Sequence, residues 1–232
     1  MDFLIESSRE ALRLILALDG DLYSALLTTL QVSLTSTVIA ALIALPLAFF
    51  LARCDFPGKR AVLVLLRTAL AFPTVAVALF VYAFIARNAP LGQWQLLFTR
   101  TAIVIGQVIL IVPLMAALAH AALQERLRDI YEEATLLGAS PLRASWQTIA
   151  ESRLAMITAL ATGLGRVVSE VGISLILGGN IRGLTRTITT AIHLETNQGH
   201  FALAFALGIV LLALVLLINV VVHTAGGRHE AT

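Results

Sequence analysis

Five stretches of this chain are apolar for at least about 20 residues, the length a helix needs to cross the hydrocarbon core of a bilayer. They cover residues 26–51, 61–85, 101–123, 154–177 and 201–222. A soluble domain of this size would carry amphipathic elements with one wet face each, and these runs have none. Composition agrees: of 232 residues 59% are hydrophobic and 13% charged, and the mean hydropathy is +0.91, outside the usual globular mix. The expected fold class is therefore all-α, a polytopic membrane helix bundle forming one domain over residues 1–232. Pro46, Pro73 and Pro113 lie inside the first three spans. Lipid-embedded helices tolerate proline because neighbours can satisfy the freed carbonyls, so kinks are expected there.

Before the first span, Glu6, Arg9, Glu10 and Arg13 share one helical face while Leu4, Ile5, Leu12, Ile15 and Leu16 occupy the rest. That pattern suits a helix lying at the membrane interface; the alternative is a ragged start to the first span. Asp2 and Glu6 stand where a signal peptide would be basic, so the segment is expected to be retained. Five spans put the termini on opposite sides of the membrane. Arg53, Lys59, Arg60, Arg126, Arg128, Arg143, Arg153 and Arg228 on one side face Arg9, Arg13, Arg87, Arg100, Arg182 and Arg186 on the other. This bias is slight and does not fix the topology alone; it leans to an N-terminus outside and a C-terminus in the cytoplasm of a cell (inner) membrane protein.

Several functions are excluded early. The net charge of +2 comes almost wholly from arginine, with no basic cluster of the kind that binds nucleic acid. Cys54 is alone, which rules out an internal disulfide and a cysteine-based metal site. His193-Leu194-Glu195 opens like a zinc deaminase signature, but that signature needs paired cysteines. Neither His-Glu-x-x-His nor Gly-x-Ser-x-Gly occurs, so no hydrolase site, metal or cofactor is expected.

The longest polar interruption, residues 124–153, reads as two short helices. Leu127, Ile130, Tyr131, Ala134 and Leu137 recur at helical spacing. Gly138 suits the left-handed position past a helix end, Ser140 can cap the next helix, and Pro141 fits its first turn. The run Glu132-Glu133-Ala134, three residues, then Gly138-Ala139-Ser140 resembles the EAA loop of ABC importer permeases, with Glu133 in place of the usual second alanine. The later Thr148-Ile149-Ala150-Glu151 departs from that family's pattern. In the family this loop is a cytoplasmic coupling helix seated in a groove of the ATPase. The resemblance gives that role to Glu132, Ala134 and Gly138: a charge for a polar groove, a small residue for close approach, and the angle between the two helices. The sole lysine, in Phe56-Pro57-Gly58-Lys59-Arg60, lacks the flanking residues of a phosphate-binding loop. ATP and Mg are therefore expected at a separate ATPase subunit, and the chain itself is not expected to be an enzyme.

The fourth span carries Arg166, Ser169 and Glu170 within an apolar run, and charges at that depth are costly unless paired or wetted. Arg166 and Glu170 are four residues apart, a spacing that stacks them on one helical face and allows an internal ion pair. Two readings stay open: a translocation path or gate, and a structural pair holding the bundle or a dimer together. Ala161, Gly165 and Ser169 form a small-residue stripe for close helix contact. Beyond the span, Gly178, Gly179, Asn180, Arg182, Thr185 and Arg186 supply amides, hydroxyls and guanidinium groups suited to an oxyanion or to a binding protein, or else a polar turn with a capped helix after it.

From Gly165-Arg166 through Ser169-Glu170-Val171-Gly172, Gly178-Gly179-Asn180-Ile181-Arg182-Gly183, Thr185-Arg186-Thr187 and Leu194-Glu195-Thr196, the sequence resembles permeases of the tungstate importer family, relatives of the molybdate and sulfate permeases. The similarity runs from the first span to the fifth. It implies a homodimer that binds two ATPase subunits and receives a tetrahedral oxyanion from an extracytoplasmic binding protein, tungstate first and molybdate or sulfate second. The rival is an ATP-independent channel or scaffold whose loop merely anchors a partner.

Overall fold

A computed structural model of the chain describes residues 20–126 and 130–227, together with Arg9, Leu12, Arg13 and Leu16. The expected N-terminal interfacial helix, with Leu4, Ile5, Glu6, Glu10 and Ile15, lies outside the described residues, as do Leu127, Arg128, Asp129 and Arg228. Described residues form helices and no strand: α1 (Gly20–Arg53), α2 (Lys59–Ala69), α3 (Thr74–Ile85), α4 (Arg100–Arg126), α5 (Glu132–Leu136), α6 (Pro141–Glu151), α7 (Arg153–Val168), α8 (Gly172–Gly178), α9 (Ile188–Asn197) and α10 (Phe201–Gly227).

The bundle is built around α4. Its Ile103, Ile111, Met115 and Leu123 are fully buried, and their spacing spreads them around more than half of the helix, as suits a central element with neighbours on several sides. Around it pack α1, α2, α3, α7 and α8. Close approach is set by two glycines. A methyl group at Gly106 would stand 2.6 Å from Ile173 Cγ2, and one at Gly163 would stand 2.8 Å from Met115 Sδ, so α8 and α7 each touch the α4 or facing backbone where no side chain fits. Gln107 is the polar pin of this core. Ser36 Oγ on α1 donates to Gln107 Oε1 at 2.7 Å, and Gln107 Nε2 donates to the Val167 carbonyl at 3.3 Å.

Only part of the expected span pattern is straight. Among the described residues, α1, α4 over Arg100–Gln124 and α10 over Phe201–Val221 are each long and apolar enough to cross a membrane. The second and fourth spans are bent pairs: α2 and α3 meet at 106°, and α7 and α8 at 58°. Residues 61–85 therefore do not form one kinked rod. The chain leaves α2 through i→i−3 bonds from Leu70, Ala71 and Phe72; proline disfavours helix in the residue before it, Phe72, and Pro73 itself sits extended at φ −62°, ψ 128° as the cap of α3. Twelve residues of α3 reach only about 18 Å, short of a bilayer core. By contrast, α1 continues through Pro46 and α4 through Pro113. In the turn before α2, Lys59 Nζ donates to Asp55 Oδ1 at 2.8 Å, which holds the exposed Asp55 carboxyl below its usual range.

The two ends of the bundle are tied by different contacts. At one end, Leu22 and Ala25 of α1 share an apolar cluster with Ile188 and Ala191 of α9 and Leu207 and Val210 of α10. At the other, Arg53 closes α1 with its guanidinium 5.2 Å from the Tyr131 ring centroid, and Arg53 Nη2 donates to the Tyr131 hydroxyl at 3.3 Å.

Candidate functional site

The 124–153 loop folds as two short helices at the angle the glycine and serine dictate. Gly138 has φ +83°, in the region where a side chain would be strained. Ser140 Oγ accepts from the Arg143 amide at 3.4 Å, and Pro141 occupies the first turn of α6. The Glu132 backbone opens α5, while its side chain lies outside what is described. Glu133 is exposed, as are Gly138 and Ser140, and Ala139 is half-buried. Ala134 does not occupy the position expected of it. It is 5% exposed, and its carbonyl accepts from the Ala139 amide at 2.9 Å, so it packs the turn against itself and offers no surface to a partner. The exposed residues there are Leu136 and Leu137, at 87% and 88%. Helical spacing groups Leu137 with Ala134, but α5 ends at Leu136, one residue too soon for that periodicity to hold.

The Arg166–Glu170 ion pair that the spacing allows is not formed. Helix α7 ends at Val168, and the four-residue register that would stack the two side chains ends with it. Glu170 is 4% exposed. Its Oε1 accepts from the Ile173 amide at 3.2 Å, capping α8, and its carbonyl accepts from Thr189 Oγ1 at 2.9 Å. Arg166 points the other way. It is exposed and lines a cavity of about 430 Å³ with Ala69, Leu70, Leu110, Leu114, Thr162, Gly165 and Ser169. The hydroxyls of Thr162 and Ser169 donate back to the Thr158 and Gly165 carbonyls at 2.8 Å each. Ala161 and Gly165 open onto cavities, and a methyl group at Gly165 would meet nothing within 4 Å. The small-residue stripe is thus unoccupied by the chain's own helices.

The loop after α8 is stapled from within. Arg182 Nε donates to Asp21 Oδ1 at 2.6 Å, and Arg182 Nη2 donates to Asp21 Oδ2. Arg186 Nε donates to Asn180 Oδ1 at 3.1 Å, and Arg100 Nε and Nη1 donate to the Leu184 carbonyl and Gln31 Oε1, both at 2.6 Å. Thr185 is buried, donating to the Gly178 carbonyl and accepting from the Ile181 amide. Gly179, at φ +71°, ends α8, and its neighbour across the turn is the Phe98 ring. The groups that composition suggested for an oxyanion cup instead brace the turn against α1 and α4. Thr187 and Thr190 then form a reciprocal capping box at the start of α9. Asp21, Gln31 and Gln107, which complete these contacts, carried no motif; their signal is a polar residue recurring inside or beside an apolar run.

Comparison with known proteins bears on this arrangement. Residues 44–225 match the family described as binding-protein-dependent transport system inner membrane component. The tungstate uptake system permease protein of Campylobacter jejuni is 41% identical over 223 residues, covering 96% of this chain and 93% of that protein. The protein of the same name from Peptoclostridium acidaminophilum is 35% identical over 224 residues, covering 97% and 98%. Among solved structures, a bacterial ABC transporter involved in the import of the acidic polysaccharide alginate superposes with a TM-score of 0.68 at 20% identity, over 89% of this chain and 79% of that one.

Proposed function

The chain belongs to the binding-protein-dependent transport system inner membrane components, and from that premise we propose that it is the transmembrane permease subunit of an ATP-driven importer for a tetrahedral oxyanion, tungstate first and molybdate or sulfate second. The observation that carries the cargo is the similarity, over nearly the whole of each chain, to two tungstate uptake permeases. The coupling role draws on the loop geometry. Two ATPase subunits, one for each copy of a homodimer, dock on the turn from Glu132 to Ser140, and the exposed Leu136 and Leu137 supply the apolar contact. Gly138 fixes the angle at which α5 is presented, and ATP and Mg are used in the ATPases. At the opposite end, the braced turn from Gly178 to Arg186 receives the oxyanion-loaded binding protein. A rigid turn suits docking, because little side-chain freedom is lost on contact.

The test is uptake. Cells lacking the chain, with and without its restoration, are given equal tungstate, molybdate and sulfate, and cell-associated metal and sulfur are measured. Restoration is expected to raise tungsten most. A restored strain that accumulates only molybdenum or sulfur would overturn the tungstate assignment.

A further inference from the structure

We propose that Arg166 forms a transient mid-membrane site for the oxyanion in passage, at the junction where the two bent helix pairs break. This rests on the reading of the chain as an oxyanion permease. The depth follows from α4, which runs the full bundle from Arg100 to Arg126. Leu110 and Leu114, near its middle, face the same cavity as Arg166. The breaks adjoin one another: a methyl group at Gly172, just past the α7–α8 break, would stand 3.1 Å from Thr74 Oγ1, just past the α2–α3 break. Ala69 and Leu70, at the end of α2, complete the cavity wall.

Three observations assign the charge to passage and not to structure. The Arg166 guanidinium makes no hydrogen bond or ion pair with any described residue, its carbonyl alone accepting from Ser169 Oγ, whereas Glu170, its partner by spacing, is turned into the core to cap α8. The cavity of about 430 Å³ has room for roughly a dozen waters, so an oxyanion could enter with part of its hydration shell. The Thr162 and Ser169 hydrogens are committed to backbone carbonyls, which leaves the guanidinium fork as the donor set on that wall. A planar fork matches two oxygens of a tetrahedral dianion, and a charge without a partner at that depth requires water or an anion. Leu70, Leu110 and Leu114 add no further donor to that wall, so a single fork holds the anion and release breaks one set of bonds only.

The experiment uses the complete transporter, chain, ATPase and binding protein, in liposomes, with tungstate as the probe. R166Q is expected to assemble normally and to keep stimulation of ATP hydrolysis by the loaded binding protein, yet to transport at least about tenfold less tungstate per complex; R166K should retain more than R166Q. The double variant R166Q/E170Q should not recover. Wild-type transport kept by R166Q, a loss explained by failed assembly, or recovery in the double variant would each overturn the site. A wild-type complex that moves none of the three oxyanions would overturn the oxyanion reading as well, which separates the two failures.

Discussion

Thr185 holds two bonds in a place no solvent reaches. Its hydroxyl donates to the Gly178 carbonyl at 2.5 Å and accepts from the Ile181 amide at 3.0 Å, with 0% of the residue exposed. Thr185→Val keeps the shape and removes both bonds, leaving the buried Gly178 carbonyl and the part-buried Ile181 amide without that partner. The expected cost is about 1–3 kcal/mol, read as a lower thermal unfolding midpoint in detergent, with Thr185→Ser close to the original. If valine left the midpoint unchanged, the hydroxyl would not be what braces the turn. In the sequence this threonine looked like an anion donor, because a hydroxyl beside glycines and arginines has the same composition either way. Which atom it donates to depends on the left-handed turn at Gly179 folding the chain back over α8. Glu170 shows the same limit: spacing alone pairs it with Arg166, and only the end of α7 between them turns it away.

At the scale of elements, the apolar runs coincide with three straight candidate spans and two bent helix pairs, because length and hydropathy are equally satisfied by a straight rod and by a bent pair. What separates them is where polar residues and proline fall together. Helix α2 carries Lys59, Arg60 and Arg67 and buries none of its residues, so it stays at the edge of the bundle, and Pro73 supplies the break. The turn between α5 and α6 was legible in its stop and cap, Gly138 and Ser140, since each has a local backbone reason. Its contact surface was not, because α5 is too short to keep a periodic face. A prediction belongs to that surface. Leu136→Ser with Leu137→Ser removes two side chains that are 87% and 88% exposed, so the chain's own stability should shift by less than about 0.5 kcal/mol. Co-purification of the ATPase should nevertheless be lost, as truncating a buried interface anchor costs about 2 kcal/mol or more. Full retention of the ATPase by this double variant would move the docking surface elsewhere on the loop.

For the whole molecule, the arginine count along the sequence barely favours one orientation, whereas contacts across the bundle sort the loops into two sets. Arg53 on Tyr131 puts the turn holding Cys54 at the same end as the loop from Glu132 to Ser140. Arg182 on Asp21, and Arg100 on the Leu184 carbonyl, put the start of α1 and the turn after α8 together. Helix α1 runs between these ends as one element of 34 residues, about 51 Å at helical rise, enough to pass through a bilayer and emerge on both sides. If the loop from Glu132 to Ser140 meets the ATPase, as proposed, it faces the cytoplasm, and everything tied to it faces there too. Cys54 is a free, half-buried thiol and the only cysteine in the chain. It should therefore resist a membrane-impermeant maleimide in intact cells and react once the membrane is opened. Leu184→Cys in a Cys54→Ser background should react from outside without permeabilisation, since Leu184 is exposed at the far end. Labelling of Cys54 in intact cells together with protection at position 184 would turn the molecule over, and with it the assignment of both docking surfaces.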